Sequence, residues 1–342
     1  MKKVAIIGHF GFGLDLANGQ TIKTKIVAEE IHRFCNEKPV CVDAHGGIKA
    51  IIPVAFGAIN SLRKCDNVIM MLTENGLKVC IPILAVFNKI FRRRLHYVVV
   101  GGWLPDFLKK HPGLVRELKG FYLIYVETYN MKSSLEQIGI RNVVVMPNCK
   151  NIKILDRPET CSRPYKLCTF SRVMREKGIE DAVLAVKKAN QKLGENFYRL
   201  DIYGQIDSKQ EEWFEELKQT FPEYIKYGGT IQYDRSTDIL KDYFLLLFPT
   251  YYVGEGFAGT AIDAFSAGVP VLASNWKYNS EVINEGINGG LYEAHNIEQM
   301  ADRLVNIAQN TDKWEKMREN CLEDAEKYRP DKVLKKLFEN LK

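Results

Sequence analysis

The stretch Pro249-Thr250-Tyr251-Tyr252-Val253-Gly254-Glu255-Gly256-Phe257-Ala258-Gly259-Thr260-Ala261-Ile262-Asp263-Ala264-Phe265-Ser266-Ala267-Gly268-Val269-Pro270-Val271 decides the reading of this chain. It follows the apolar run Leu245–Phe248, which reads as a buried strand ending at Pro249. A glycine-rich loop carrying Glu255 comes next, then a helix expected to start near Gly259 or Thr260, then a second strand from Val271. The free N–H groups of such a helix start suit a phosphate. A carboxylate on either side, Glu255 and Asp263, can bind hydroxyl groups. A sugar nucleotide needs both kinds of contact.

Outward from this stretch the same strand and helix alternation continues. Strands are expected at Val4–Ile7, Val40–Asp43, Val68–Met71, Tyr97–Val100, Leu123–Val126 and Val143–Met146 in the first half. In the second half they are expected at Lys166–Phe170, Leu200–Tyr203, Lys226–Gly228, Leu245–Phe248 and Val271–Ala273, with helical periodicity over 179–193, 209–220, 296–309 and 311–328. Alternation of this kind implies parallel sheets with crossover helices. The polar, proline-bearing segment after Met146 puts a boundary near residues 150–165, giving two doubly wound α/β domains. Ligands of such sheets bind beyond the carboxyl ends of the strands.

Two further loops lie at such ends. Gly8-His9-Phe10-Gly11-Phe12-Gly13, followed by Asn18-Gly19-Gln20-Thr21, leads from the first strand into a helix, in a spacing that is neither Gly-x-Gly-x-x-Gly nor a P-loop. Ser171-Arg172-Val173-Met174-Arg175-Glu176-Lys177-Gly178 follows the strand at 166–170, so that Arg172 and Lys177 either converge on a diphosphate or are solvated loop charges.

Composition narrows the class. The 342 residues are 46% hydrophobic and 26% charged, the balance of a folded globular protein. Residues 1–160 hold 23 basic and 13 acidic side chains, against 25 and 29 in the remainder, so the first half faces something anionic or carries a drift of solvated charge. Eight scattered cysteines show no zinc spacing and read as reduced cytosolic thiols. The start reads as a first strand with no signal peptide, and no apolar run is long enough to span a bilayer. The run Val79–Phe87, continuing into Arg92-Arg93-Arg94, reads as a buried helix ending in a basic turn or as an interfacial patch. The basic residues lack the aromatic interleaving of a nucleic-acid binder.

Glu255-Gly256-Phe257, the acidic residue eight positions later and Ala264-Phe265-Ser266-Ala267-Gly268-Val269-Pro270-Val271 together resemble the donor-site signature of the family 4 (group 1) retaining glycosyltransferases. Ser171-Arg172 through Lys177-Gly178 is similar to that family's basic segment, Asn18-Gly19-Gln20-Thr21 to its N-terminal loop, and Ser280-Glu281-Val282-Ile283 to its following block. The resemblance implies the GT-B fold, two Rossmann-like doubly wound domains facing across a cleft. Residues 1–160 would form the acceptor-side domain, 161–328 the donor domain, and 329–342 a C-terminal helix crossing back.

It also implies a retaining transfer of sugar from a nucleoside diphosphate sugar, UDP- or GDP-linked, to a saccharide acceptor, lipid-linked, in cell-surface polysaccharide or capsule assembly. Glu255 would hold hydroxyls of the transferred sugar, while Arg172 and Lys177 neutralise the leaving diphosphate. Gly19 and residues Gly256, Phe257, Ala258, Gly259 and Thr260 would line the donor, with Asp263 at the ribose. Asp263 stands where the family usually has Glu, and Thr260 with Asp263 also fits a helix-capping pair. The family's frequent histidine after an N-terminal-domain strand is replaced by Gly101-Gly102-Trp103. No metal or cofactor is expected, because the cations do the work of a divalent ion and no Asp-x-Asp occurs. A cytoplasmic protein at the inner membrane face is expected, with no nucleic-acid partner. The alternatives are a catalytically silent GT-B protein binding a nucleotide sugar or partner enzyme, and a non-hydrolysing sugar-nucleotide epimerase.

Overall fold

The computed structural model describes residues 3–14, 18–151, 153–159 and 161–342, with Tyr233 described by its backbone. The chain divides into two compact units, residues 1–151 with 328–342, and residues 152–327.

The N-terminal unit runs β1 (Val4–Gly8), α1 (Gly19–Cys35), β2 (Val40–Asp43), α2 (Ile51–Lys64), β3 (Asn67–Met71), α3 (Glu74–Phe91), β4 (Arg94–Val98), α4 (Leu104–Lys110), α5 (Pro112–Leu118), β5 (Leu123–Val126), α6 (Tyr129–Gln137) and β6 (Val143–Val145). Its six strands are all parallel, in the order β2-β1-β3-β4-β5-β6. β1 and β3 are buried throughout, as continuous apolar runs in a sheet covered on both faces must be. The Asn18 side chain accepts the Thr21 N–H at 3.0 Å and so fixes where α1 begins, a cap worth about 1 kcal/mol.

The C-terminal unit runs β7 (Tyr165–Phe170), α7 (Ile179–Leu193), β8 (Tyr198–Tyr203), α8 (Glu211–Gln219), β9 (Ile225–Gly229), α9 (Ser236–Leu240), β10 (Leu245–Phe248), α10 (Gly259–Ser266), β11 (Val271–Ser274), β12 (Gly289–Tyr292), α11 (Ile297–Gln309) and α12 (Thr311–Glu326). The sheet order is β12-β11-β10-β7-β8-β9, again parallel. α7 buries Ile179, Ala182, Val183, Val186 and Ala189 at helical spacing and is bounded by Gly178 and Gly194, both in the left-handed region. Two short helices, α13 (Pro330–Val333) and α14 (Lys335–Phe338), complete the chain.

The units divide between residues 151 and 152, at the start of the 150–165 segment in which the sequence places the boundary and ahead of the expected bound at 160. The Leu155 N–H donates to the Ser266 carbonyl at 3.0 Å, and Pro158 lies so close to Gly268 that a Cβ there would approach it to 2.9 Å, so packing assigns this segment to the C-terminal unit. The single helix expected over 329–342 is instead the pair α13 and α14, joined to the N-terminal unit. Phe338 stacks on Phe34 with centroids 4.5 Å apart, Lys336 Nζ donates to the Val145 carbonyl at 3.0 Å, and Asn67 bonds the Lys342 backbone. β12 is not among the expected strands, since Gly289-Gly290-Leu291-Tyr292 forms no apolar run and its strand character comes from pairing with β11.

Candidate active site

The donor-side residues gather at the carboxyl ends of β7 and β10, and glycine geometry decides how closely. Gly178 sits at φ +68°, and a Cβ there would lie 2.2 Å from the Pro249 carbonyl oxygen. The turn Arg175–Lys177 can therefore lie directly against the end of β10, where the Tyr251 N–H donates to the Glu176 carbonyl at 2.8 Å. That approach brings Lys177 to Glu255, 78 residues further along the chain.

Lys177 Nζ donates to Glu255 Oε2 at 2.6 Å, and the Thr250 hydroxyl donates to the same oxygen at 2.7 Å. Both charged side chains are largely buried, and the ammonium lies 4.9 Å from the centroid of the Tyr252 ring. Thr250 is itself buried, its carbonyl accepting the Ser274 hydroxyl at 2.5 Å from the neighbouring strand. The loop beyond is pinned where Trp276 Nε1 donates to the Tyr252 carbonyl at 2.9 Å. Glu255 is thus held by one group beyond β7 and one beyond β10, with a fixed cation beside it. Thr250 had no place in the sequence reading, although its position directly after the strand-ending Pro249 was the available signal.

α10 begins at Gly259, within the expected range, with Ala258 as its cap residue and no side chain closing its end. The Ala261 N–H donates to the Ala258 carbonyl at 3.1 Å, while the N–H groups of Gly259 and Thr260 lie at the positive end of the helix, where an anionic acceptor is favoured. Gly256 and Phe257 are buried, while Ala258, Gly259 and Thr260 are half-buried. The Thr260 hydroxyl donates to the Phe170 carbonyl at 2.6 Å, joining α10 to the end of β7. The capping pair of Thr260 and Asp263 is therefore not formed. Asp263 is only 1% exposed, and its Oδ1 accepts the Ser236 hydroxyl at 2.8 Å. Its carboxylate faces inward, towards α9.

Arg172 is exposed at the end of β7, with Nη1 3.6 Å from Asp207 Oδ2. Lys177 is engaged by Glu255, so the two cations have separate carboxylate partners. Gly19 belongs to the N-terminal unit, in the first turn of α1, where a Cβ would meet nothing within 4 Å. Near it, His9 Nδ1 lies 2.7 Å from the Thr21 hydroxyl and His9 Nε2 lies 2.8 Å from His45 Nδ1. Asp43 accepts the N–H groups of Phe10, Phe12 and His45 and so shapes the glycine loop after β1. Burial, with His45 adding to it, lowers the His9 pKa, and hydrogen bonding to those amides holds Asp43 low against the opposing effect of its burial. His111 stacks on Phe107 and bonds its carbonyl at 2.9 Å, within its own helical turn.

Among the described residues no helix is long and apolar enough to cross a membrane. The cysteines Cys35, Cys41, Cys65, Cys80, Cys149, Cys161, Cys168 and Cys321 are all free thiols.

Known proteins match this arrangement. Over its full length the chain resembles Anabaena HepE in a structure with UDP and glucose, at a TM-score of 0.73 and 15% identity, covering 100% of this chain and 99% of that one. The two doubly wound units are thus those of the GT-B fold. A poly(ribitol-phosphate) α-N-acetylglucosaminyltransferase of Staphylococcus aureus is 29% identical over 59% of this chain and 40% of its own length. A poly(glycerol-phosphate) α-glucosyltransferase of Bacillus subtilis is 27% identical over 50% of this chain and 25% of its own. The chain thus spans less than half the length of these curated relatives. The sequence profile of the glycosyl transferases group 1 matches residues 153–327, all but the first residue of the unit that carries Arg172, Lys177, Glu255 and α10, and the chain belongs to that family.

Proposed function

We propose that this protein moves a sugar, with retention of configuration, from a uridine diphosphate sugar to a saccharide acceptor in the assembly of a cell-surface polymer. The observation that carries the reading is the Lys177–Glu255–Thr250 cluster beside the open N-terminus of α10, in a chain of this family. Charge accumulates on the diphosphate as the glycosidic bond breaks. An ammonium at Lys177, a guanidinium at Arg172 and the N–H groups at 258–260 supply positive potential there that is worth more in the transition state than before it. That supply supports metal-independent chemistry. Glu255, held rigidly by Thr250, would accept from hydroxyls of the transferred sugar. Asp263, bonded to Ser236, would anchor α10 from behind instead of meeting the ribose.

The choice of uracil follows HepE, whose structure holds UDP and glucose. Glucose and N-acetylglucosamine are the first sugars to try, because the two curated relatives are named for them. The acceptor is proposed to be lipid-linked, an anionic diphosphate suiting the basic N-terminal half.

The test is incubation with UDP-glucose or UDP-N-acetylglucosamine in EDTA, with polyol-phosphate or lipid-diphosphate saccharide acceptors, followed by mass and NMR analysis of the products. An acceptor heavier by one sugar, in the anomeric configuration of the donor, is expected. An epimerised donor formed without acceptor would overturn the reading in favour of an epimerase.

A further inference from the structure

The donor-site chemistry leaves one side of the N-terminal unit without a role. α2 packs along α3, and α3 along α5. Their inward residues, Val54, Ala58 and Leu62 on α2 and Leu77, Ile81 and Leu84 on α3, are buried. The outward side is also apolar. Ile52 and Phe56, one turn apart on α2, are 68% and 71% exposed, and Val86 and Ile90, one turn apart on α3, are 59% and 74% exposed. Ile48, just ahead of α2, is 87% exposed. Val86 and Pro82 also border an open cavity of about 360 Å³ with His111, Gly113 and Leu114. Single exposed apolar residues are ordinary, but four on two adjacent helices, with a fifth just ahead of them, are a feature to be explained.

Charge identifies what covers them. Residues 47–119 hold twelve Lys and Arg against four Asp and Glu, an excess larger than the +6 of the whole chain. Lys49, Lys89 and Arg92 are exposed on the segments that carry the apolar side chains. The arginine triplet is divided. Arg93 donates to the Leu62 carbonyl at 3.0 Å and lies 3.3 Å from Asp66, while Arg94 donates to the Asn340 carbonyl at 3.0 Å and stacks over Tyr122. Those two serve the fold, whereas Arg92 caps the end of α3 through its backbone N–H, which donates to the Asn88 carbonyl at 2.8 Å, and its exposed guanidinium makes no hydrogen bond or ion pair among the described residues.

We propose that the outward face of α2 and α3 docks on the anionic surface of a lipid bilayer, with Ile48, Ile52, Phe56, Val86 and Ile90 entering the headgroup boundary and Lys49, Lys89 and Arg92 meeting lipid phosphates. A bilayer fits better than a protein partner because its surface is anionic everywhere and apolar immediately beneath. Cations interspersed with protruding aliphatic and aromatic side chains match that profile. The inference deepens the proposed function by placing the protein where a lipid-linked acceptor resides, yet it needs neither donor nor acceptor, so its failure is separable from failure of the transfer reaction.

The test is cosedimentation of the full chain with phosphatidylcholine vesicles, with and without phosphatidylglycerol, at low and raised salt. Binding is expected only with the anionic lipid and should weaken with salt. Lys89→Gln and Arg92→Gln should each lower the partition coefficient about fivefold. Ile52→Ser with Phe56→Ser should lower it on the order of a hundredfold while the unfolding midpoint stays unchanged. Wild-type protein that stays in the supernatant overturns the proposal, as does a double serine variant that pellets like the wild type. A dimer in solution that the same double variant converts to monomer also overturns it, assigning this face to a second copy of the chain.

Discussion

Replacing Glu255 by Gln is expected to tighten the binding of UDP while abolishing transfer. The Lys177 ammonium is engaged by Glu255 Oε2, 2.6 Å away. A diphosphate taking that ammonium must form its own contact, at about 2.8 Å, beside a carboxylate that is still in place. The phosphate charge then lies roughly 5–6 Å from Glu255, and at an effective dielectric of about 20–40 each unit of negative charge is repelled by about 1.5–3 kcal/mol. Glutamine keeps the volume and still accepts from Thr250, but removes that repulsion. UDP, which has no sugar to hold, should therefore bind roughly ten- to a hundredfold more tightly. Isothermal titration of UDP into the wild type and Glu255→Gln at one salt concentration gives the ratio, and product analysis with the complete donor gives the rate. Weaker or equal UDP binding by the variant would refute the placement of the diphosphate at Lys177.

Other expectations follow from single positions. Gly178→Ala forces a Cβ towards the Pro249 carbonyl at a left-handed φ, so it should cost about 2 kcal/mol or more and lower the melting temperature of the C-terminal unit. Asp263→Asn, which preserves an acceptor for Ser236, should leave UDP affinity within about threefold of the wild type, whereas Asp263→Leu removes that buried hydrogen bond and should destabilise by about 1–3 kcal/mol in urea unfolding. A loss of UDP affinity in Asp263→Asn with stability intact would restore the ribose role. Burial, helped by the positive Arg94, holds His96 down at about 4. Its unfolded value is near 6.5, so between those two pH values the unfolded chain binds the extra proton. Stability of the N-terminal unit should be complete above pH 6.5 and decline by about 3 kcal/mol as pH falls towards 4, and His96→Phe should remove that slope from urea-unfolding curves.

The alternation of apolar runs and helical stripes made both parallel sheets legible, because a strand covered on both faces has to be continuously apolar. β12 escaped because Gly289-Gly290-Leu291-Tyr292 lacks that signature and is a strand only by virtue of β11 beside it. The boundary was legible as the segment 150–165 but not to the residue, because Pro158 and Pro164 look alike as linker punctuation whereas Pro158 is packed under Gly268. At the candidate site the start of α10 and the glycine-rich loop carrying Glu255 were legible from local segments, while Lys177 was singled out from other loop charges only by the family resemblance. The direct ion pair of Lys177 and Glu255 was not legible, since it depends on a backbone approach at Gly178 that no local pattern encodes. The same holds for the buried ion pair of Lys23 and Glu127, at 2.5 Å, which joins α1 to the end of β5. The division of labour within Arg92-Arg93-Arg94 likewise rests on distant partners, Leu62 and Asn340.

The central claim is that a nucleoside diphosphate binds among Arg172, Lys177 and the first turn of α10. Its most direct test is calorimetric titration of UDP, GDP, ADP and CMP, in EDTA, into the wild type and into Arg172→Ala and Lys177→Met. The account predicts saturable binding of UDP that EDTA leaves unchanged and that each substitution weakens about tenfold or more. Absence of heat with every nucleotide, or UDP binding that both substitutions leave intact, would contradict it.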